Sequence, residues 1–108
     1  MDQISIDSES LREKVVEKLR TIYDPEIPVN IYAMGLIYEI SILPINNIQV
    51  VMTLTAPNCP AAQSLPLDVD QRLREIDGVN DVHVSVTWIP TWNKSMMSEE
   101  AQLELGML

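Results

Sequence analysis

Residues 52–66 read MTLTAPNCPAAQSLP. They pass from the end of an alternating apolar run, through a short loop, into a segment whose apolar residues recur at helical spacing. Cys59, the one cysteine of the chain, sits at that junction with Pro60 directly behind it. Proline suits the first position of a helix, where its missing N–H has no intrahelical partner to lose. Ala62, Leu65, Val69, Leu73 and Ile76 continue as one apolar stripe, and Gly78 is placed to stop the helix. Pro66 breaks the pattern and predicts a kink or split near the second turn.

Reading backward from this stretch, IQVVMTLT (48–55) puts Ile48, Val50, Met52 and Leu54 on one face. Before it, GLIYEISIL (35–43) alternates with Leu36, Tyr38, Ile40 and Ile42 on one side and Glu39 and Ser41 on the other. PINN (44–47) supplies turn residues between them, so the pair reads as an antiparallel hairpin. Reading forward, DVHVSVTW (81–88) alternates with Val82, Val84, Val86 and Trp88 expected inward. A strand, a helix and a strand in succession form a crossover unit, right-handed by the general rule. A first helix is expected from about Leu11 to Tyr23. Ser10 and Glu13 would form its capping box, and Leu11, Val15, Leu19 and Ile22 its buried stripe. DPEIP (24–28) ends it. After the last strand, a short helix is expected from about Ser98 to Leu105, stopped by Gly106.

The expected fold is therefore an α/β two-layer sandwich in α-β-β-α-β order. It has a three-stranded mixed sheet with helices on one face, and a C-terminal helical tail. Residues 1–10 read as a flexible lead-in and 11–108 as a single domain. Three strands cover little area, so a homodimer is among the expectations.

Composition narrows the function classes. The chain has 108 residues, 46% hydrophobic and 21% charged, with no Phe, so Ile, Val, Leu and Met must fill the core. A net charge of −9 disfavours nucleic acid and anionic membranes as partners. One cysteine excludes an intramolecular disulfide and suits a reducing, cytoplasmic setting. No apolar run is long enough to span a bilayer, and the acidic start MDQISIDSES is not a secretory signal.

Cys59 carries two readings. Near the free N–H groups of a helix start, a thiol is biased toward thiolate, the form that attacks electrophiles and binds soft metals. Alternatively it is a small buried residue. Asp24 and Glu26 flank Pro25 and could bind a metal or a basic partner, or simply end a helix as solvated acids. Thr53 and Thr55 share the face opposite Met52 and Leu54, either as hydroxyl donors or as ordinary β-branched strand residues. His83 is a lone strand histidine, and Met96 with Met97 fits a packed tail. No Gly-rich phosphate loop or zinc spacing exists.

Taken together, DPEIPVNIYAMGLIYEI, MTLTAPNCPAA, GVNDVHVSVTWIPTW and MMSEEAQLELG resemble the SufT/PaaD family in order and spacing over roughly residues 11–106. This family, long catalogued as a domain of unknown function, includes proteins encoded with iron–sulfur cluster assembly genes. It also includes a phenylacetate-degradation protein and a eukaryotic cytosolic iron–sulfur targeting component. The resemblance implies a non-enzymatic factor that moves or targets clusters to client apo-proteins, with assembly proteins as further partners. Its marked residues fall here on Asp24, Pro25, Glu26, Gly35, Thr53, Thr55, Cys59 and Pro60. In the tail they fall on Trp88, Pro90, Trp92, Met97, Ser98 and Glu99. Cys59 becomes the expected transient ligand for iron or a cluster, shared between chains or with a partner. Thr53, Thr55, Asp24 and Glu26 support it, and Trp92, Met97, Ser98 and Glu99 are expected to meet a partner. Ala33 departs from the family, many members of which carry a small polar or acidic residue there. Pro66 is a second candidate departure. Two other classes stay open. One is a metal-free adaptor within the assembly machinery, with a structural Cys59. The other, weaker for lack of a base, is a thiol enzyme.

Overall fold

Helix α1 runs Ser8–Leu19 in a computed structural model that describes residues 8–24, 27–55 and 61–106. Its apolar stripe is the expected one, since Leu11, Val15, Leu19 and the following Ile22 are fully buried. Its bounds are not. Ser8–Ser10 are helical, so the helix starts earlier than expected and Ser10 lies inside it instead of capping it. The far end closes early as the bonding tightens, with Thr21 N–H donating to Lys18 O and Ile22 N–H to Leu19 O. Thr21 Oγ1 also donates to Lys18 O at 2.6 Å, offering that carbonyl an alternative to a further helical turn.

Strands β1 (Ile37–Leu43) and β2 (Asn47–Met52) pair antiparallel, and β3 (Asp81–Val86) pairs parallel to β2, giving the order β1-β2-β3. Helix α2 (Ala61–Arg74) links β2 to β3, and a last helix, α3, spans Glu99–Glu104. The chain is thus a small α/β domain with a three-stranded mixed sheet and three helices. Ile48, Val50 and Met52 of β2 join the stripes of α1 and α2 in one core.

The face of β1 differs from the alternation reading. Ile37 stands opposite Met52, but Glu39 stands opposite Val51, so one extra residue bulges out at Tyr38. The bulge resets the alternation. Leu36 is buried, Ile37, Ile40 and Ile42 pack on the core, and Tyr38 turns away to donate from its hydroxyl to Pro90 O at 2.7 Å. β3 keeps Val82 buried, yet Val86 is 36% and Trp88 40% exposed, against expectation. β3 is an edge strand, and the chain leaves the sheet just after Thr87 N–H donates to Met52 O.

α2 is one continuous helix through Pro66, which forgoes only its own N–H bond. Leu65, Val69 and Leu73 are buried as the stripe requires, while the side chain of Ala62 lies outside the described residues. The helix stops at Arg74, short of Gly78. Glu75 and Ile76 make tighter turn bonds instead, and Gly78 takes a φ of 94° within the turn that follows.

Each free sheet edge has one carbonyl capped by an arginine. Arg12 Nη1 donates to Ile40 O at 2.7 Å on β1, and Arg74 Nη2 to Val82 O at 2.9 Å on β3. Arg74 also pairs with Asp70 at 2.6 Å and Asp81 at 2.9 Å. Asp81 accepts from Val82 N–H as well, and this bond, then Arg74, holds its carboxyl below the ordinary value.

Candidate functional site

The segments carrying the expected site residues are tied by backbone hydrogen bonds. Thr53 N–H donates to Leu36 O at 2.8 Å, Leu36 N–H to Ile31 O at 3.2 Å, and Ile31 N–H to Ile22 O at 2.9 Å. This chain of bonds fixes the end of β2 against the loop that holds Asp24. Asp24 is only 4% exposed and its carbonyl accepts from Ile27 N–H, so it is not the solvated turn acid of the bland reading. Pro25, Glu26, Cys59 and Pro60 lie outside the described residues.

Thr53 is the anomaly. It is fully buried, and its Oγ1 has no hydrogen-bond partner among the described residues. A buried unpaired hydroxyl costs roughly 1–3 kcal/mol, so a side chain kept in that state calls for an explanation. Thr55, two residues on, is half-buried. Among the described residues, no three His, Cys, Asp or Glu side chains converge to hold a metal ion.

The tail residues are used differently from the expectation. Trp92 is half-buried and donates from Nε1 to Met34 O at 2.8 Å. Met97 is 4% exposed and belongs to the core, so it presents no surface to a partner in this structure. Ser98 caps α3, its Oγ accepting from Ala101 N–H at 3.1 Å, while its N–H donates to Ala33 O at 2.8 Å. Glu99 is exposed in the first turn of α3. Of the four, Met97 is buried, Trp92 half-buried, and Ser98 and Glu99 are exposed.

Sequence reasoning missed why Gly35 is needed. Its φ of 79° favours glycine, and an added Cβ would overlap the Met96 carbonyl, coming within 2.8 Å of its carbon. The tail therefore lies directly on this glycine. Ala33, the departure from the family pattern, lines a cleft of about 110 Å³ with Tyr23, Asn30, Glu100 and Glu104. Its N–H is held by Asn30 Oδ1 at 2.8 Å.

A family model described as "Iron-sulfur cluster assembly protein" matches residues 12–86. The chain belongs to this iron–sulfur cluster assembly family. The matched span includes the Asp24 turn, Thr53, Thr55 and Cys59, and stops before the tail. A Fe-S protein maturation auxiliary factor of Porphyromonas gingivalis is 53% identical over 96 residues, covering 89% of this chain and 91% of that one. The Fe-S protein maturation auxiliary factor SufT of Staphylococcus aureus is 35% identical over 86 residues, covering 80% and 98%. These relatives place the chain in the SufT/PaaD-type branch of the family. Among solved structures, a domain of unknown function from Bacillus anthracis superposes with a TM-score of 0.85 at 35% identity, covering 93% of this chain and 95% of that one.

Proposed function

We propose that this chain is a non-enzymatic maturation factor for iron–sulfur proteins, and that Cys59 transiently holds iron or a cluster on its way to client apo-proteins. The observation that carries the reading is the family match over residues 12–86, which spans Cys59 and the residues expected to support it, Asp24, Glu26, Thr53 and Thr55. The names of the relatives support the general role, and the buried unpaired hydroxyl of Thr53 supports a polar ligand near the end of β2.

Iron–sulfur clusters take four protein ligands, mostly thiolates. This chain supplies one thiol. The remaining ligands must come from a second chain, a partner protein or a small thiol, which favours transfer over storage. The cluster is cargo here, and Cys59 is its handle.

The test is anaerobic reconstitution with iron and sulfide, with and without a small thiol and an apo-ferredoxin acceptor. Visible absorption is followed for wild type and Cys59→Ser. Wild type should gain sulfide-to-iron charge-transfer bands and pass them to the acceptor, and Cys59→Ser should do neither. Equal behaviour of the two proteins refutes the role of Cys59. A Cys59→Ala protein that still supports client maturation in a deletion strain would instead select the metal-free adaptor.

A further inference from the structure

The two edges of the sheet are protected unequally. On β1, the Tyr38 bulge, the charged Glu39 and the Arg12 cap on Ile40 O obstruct any added strand. On β3, the bond from Thr87 N–H to Met52 O sets which residues face β2. Odd-numbered residues turn their backbone groups to β2, so Val82, Val84 and Val86 turn theirs outward. Arg74 occupies Val82 O. The N–H and C=O groups of Val84 and Val86 have no partner among the described residues.

Natural edges are normally blunted by charge, proline or a bulge. Here the chain from Val82 to Asn93 contains no Asp, Glu, Lys or Arg, although the protein carries a net charge of −9. The open edge is thus a charge-free window on an acidic molecule. Apolar groups frame it. Val86 is 36%, Trp88 40% and Leu67 64% exposed. Leu67 lies on the same face of α2 as Arg74, two turns earlier, which sets it beside Val84–Val86.

We infer that this edge pairs with the same edge of a second copy, antiparallel about a twofold axis at Ser85. In that register Val84 meets Val86 of the second copy, and each of the two open N–H and two open C=O groups per chain finds its complement. The fit is self-complementary, as a twofold interface requires. It also faces no carboxylate against a carboxylate. Ser85 meets Ser85 and His83 meets Thr87. Val82, whose carbonyl Arg74 occupies, ends the pairing. His83 is the one titratable group within the paired stretch, and Asp70, Asp81 and Arg74 lie at its margin. The product is a six-stranded sheet. So short an edge buries less than the roughly 1,200–2,000 Å² of a stable interface, so the dimer is weak and concentration-dependent.

The inference stands on strand geometry and does not depend on the proposed handling of clusters. It is tested by sedimentation equilibrium on the full chain from low micromolar to near-millimolar concentration. Wild type should self-associate, and more strongly with added salt, because screening weakens repulsion between two acidic chains. Val86→Pro removes an outward N–H that no ladder bond uses, and should weaken association about tenfold or more with an unchanged circular dichroism spectrum. Ser85→Arg, which sets two like charges on the axis, should do the same. In a Cys59→Ser background, Ser85→Cys should form a disulfide dimer under oxidised glutathione. His83→Cys, offset from the axis, should not. A strictly monomeric wild type overturns the inference. So does association that salt abolishes, that both edge variants retain, or that cross-links His83→Cys as readily as Ser85→Cys.

Discussion

Replacing Gly35 by alanine, beside the matched replacement of Gly106, isolates the contact between the tail and the rest of the fold. Both glycines have left-handed backbone, with φ of 79° and 72°. Each alanine therefore incurs a similar conformational cost of about 1–2 kcal/mol. The surroundings differ. Nothing lies within 4 Å of a Cβ at Gly106, whereas at Gly35 it would overlap the Met96 carbonyl and approach Met96 Cβ to 3.0 Å. Relief requires the backbone at Met96 to withdraw by roughly 1 Å to reach ordinary contact. That movement pulls on the next residues, Met97 in the core and Ser98, whose N–H is bonded to Ala33 O. Losing part of the methionine burial, worth roughly 1.5–3 kcal/mol when complete, and about 1 kcal/mol of hydrogen bond gives an added 1–3 kcal/mol. Gly35→Ala should therefore cost about 2–5 kcal/mol and Gly106→Ala about 1–2 kcal/mol. Urea unfolding of both variants, followed by far-ultraviolet circular dichroism, measures the difference directly. Two variants within about 0.5 kcal/mol of each other would refute the reasoning, since the contact would then carry no weight.

Other residues give sharper local tests. Met97→Ala should lower stability by about 2–5 kcal/mol in the same assay, as a core truncation; a surface residue would change it by less than about 0.5 kcal/mol. Thr53→Val removes an unpaired buried hydroxyl and should be neutral or stabilising by up to about 1 kcal/mol, while cluster transfer, if Thr53 serves it, should fall. A destabilised Thr53→Val protein would mean the hydroxyl has a partner after all. Asp81 has its carboxyl lowered below 3.8, by the Val82 N–H first and Arg74 second, so its charged form favours the fold. Its contribution is fully present above about pH 3.8 and is lost as pH falls through the lowered folded value. Asp81→Asn should lower stability at neutral pH, with the difference from wild type closing as pH falls through the lowered Asp81 value, as read from thermal melts across pH. A difference that stays the same size at the acid end would assign the effect to something other than titration.

What was legible in the sequence was whatever local periodicity controls. The stripes of α1 and α2, the buried face of β2, and the presence of α3 follow from spacing and turn chemistry. The Tyr38 bulge did not show, because GLIYEISIL fits the pleat in either phase and only pairing to β2 chooses where the extra residue goes. Trp88 looked inward because alternation says nothing about where a sheet ends. The tail carried two readings for a related reason: Met96 with Met97 fitted a packed tail and the resemblance gave Met97 to a partner, and with Trp92 and Met34 distant in sequence no pattern within MMSEE chooses between them. At the site, Thr53 and Asp24 stood out by their place in the sequence, while their burial depends on how the loop after α1 folds back. Cys59 and Glu26 lie outside the described residues, so their case rests on the sequence and the family.

The place of Met97 and Ala101 in the core, just after Met96 lies on Gly35, has a consequence for how the protein is made. Synthesis proceeds from the N-terminus, and domains generally fold as units. Here two fully or nearly buried core residues, Ala101 and Met97, come after every strand. A nascent chain that has emerged only through β3 holds a complete sheet over an incomplete interior. Closure must wait until α3 has cleared the ribosome, and in that interval the unprotected β3 edge is also exposed. A chaperone acting at the ribosome would meet the protein at that moment, and a tag fused close behind α3 would act on its last folding step.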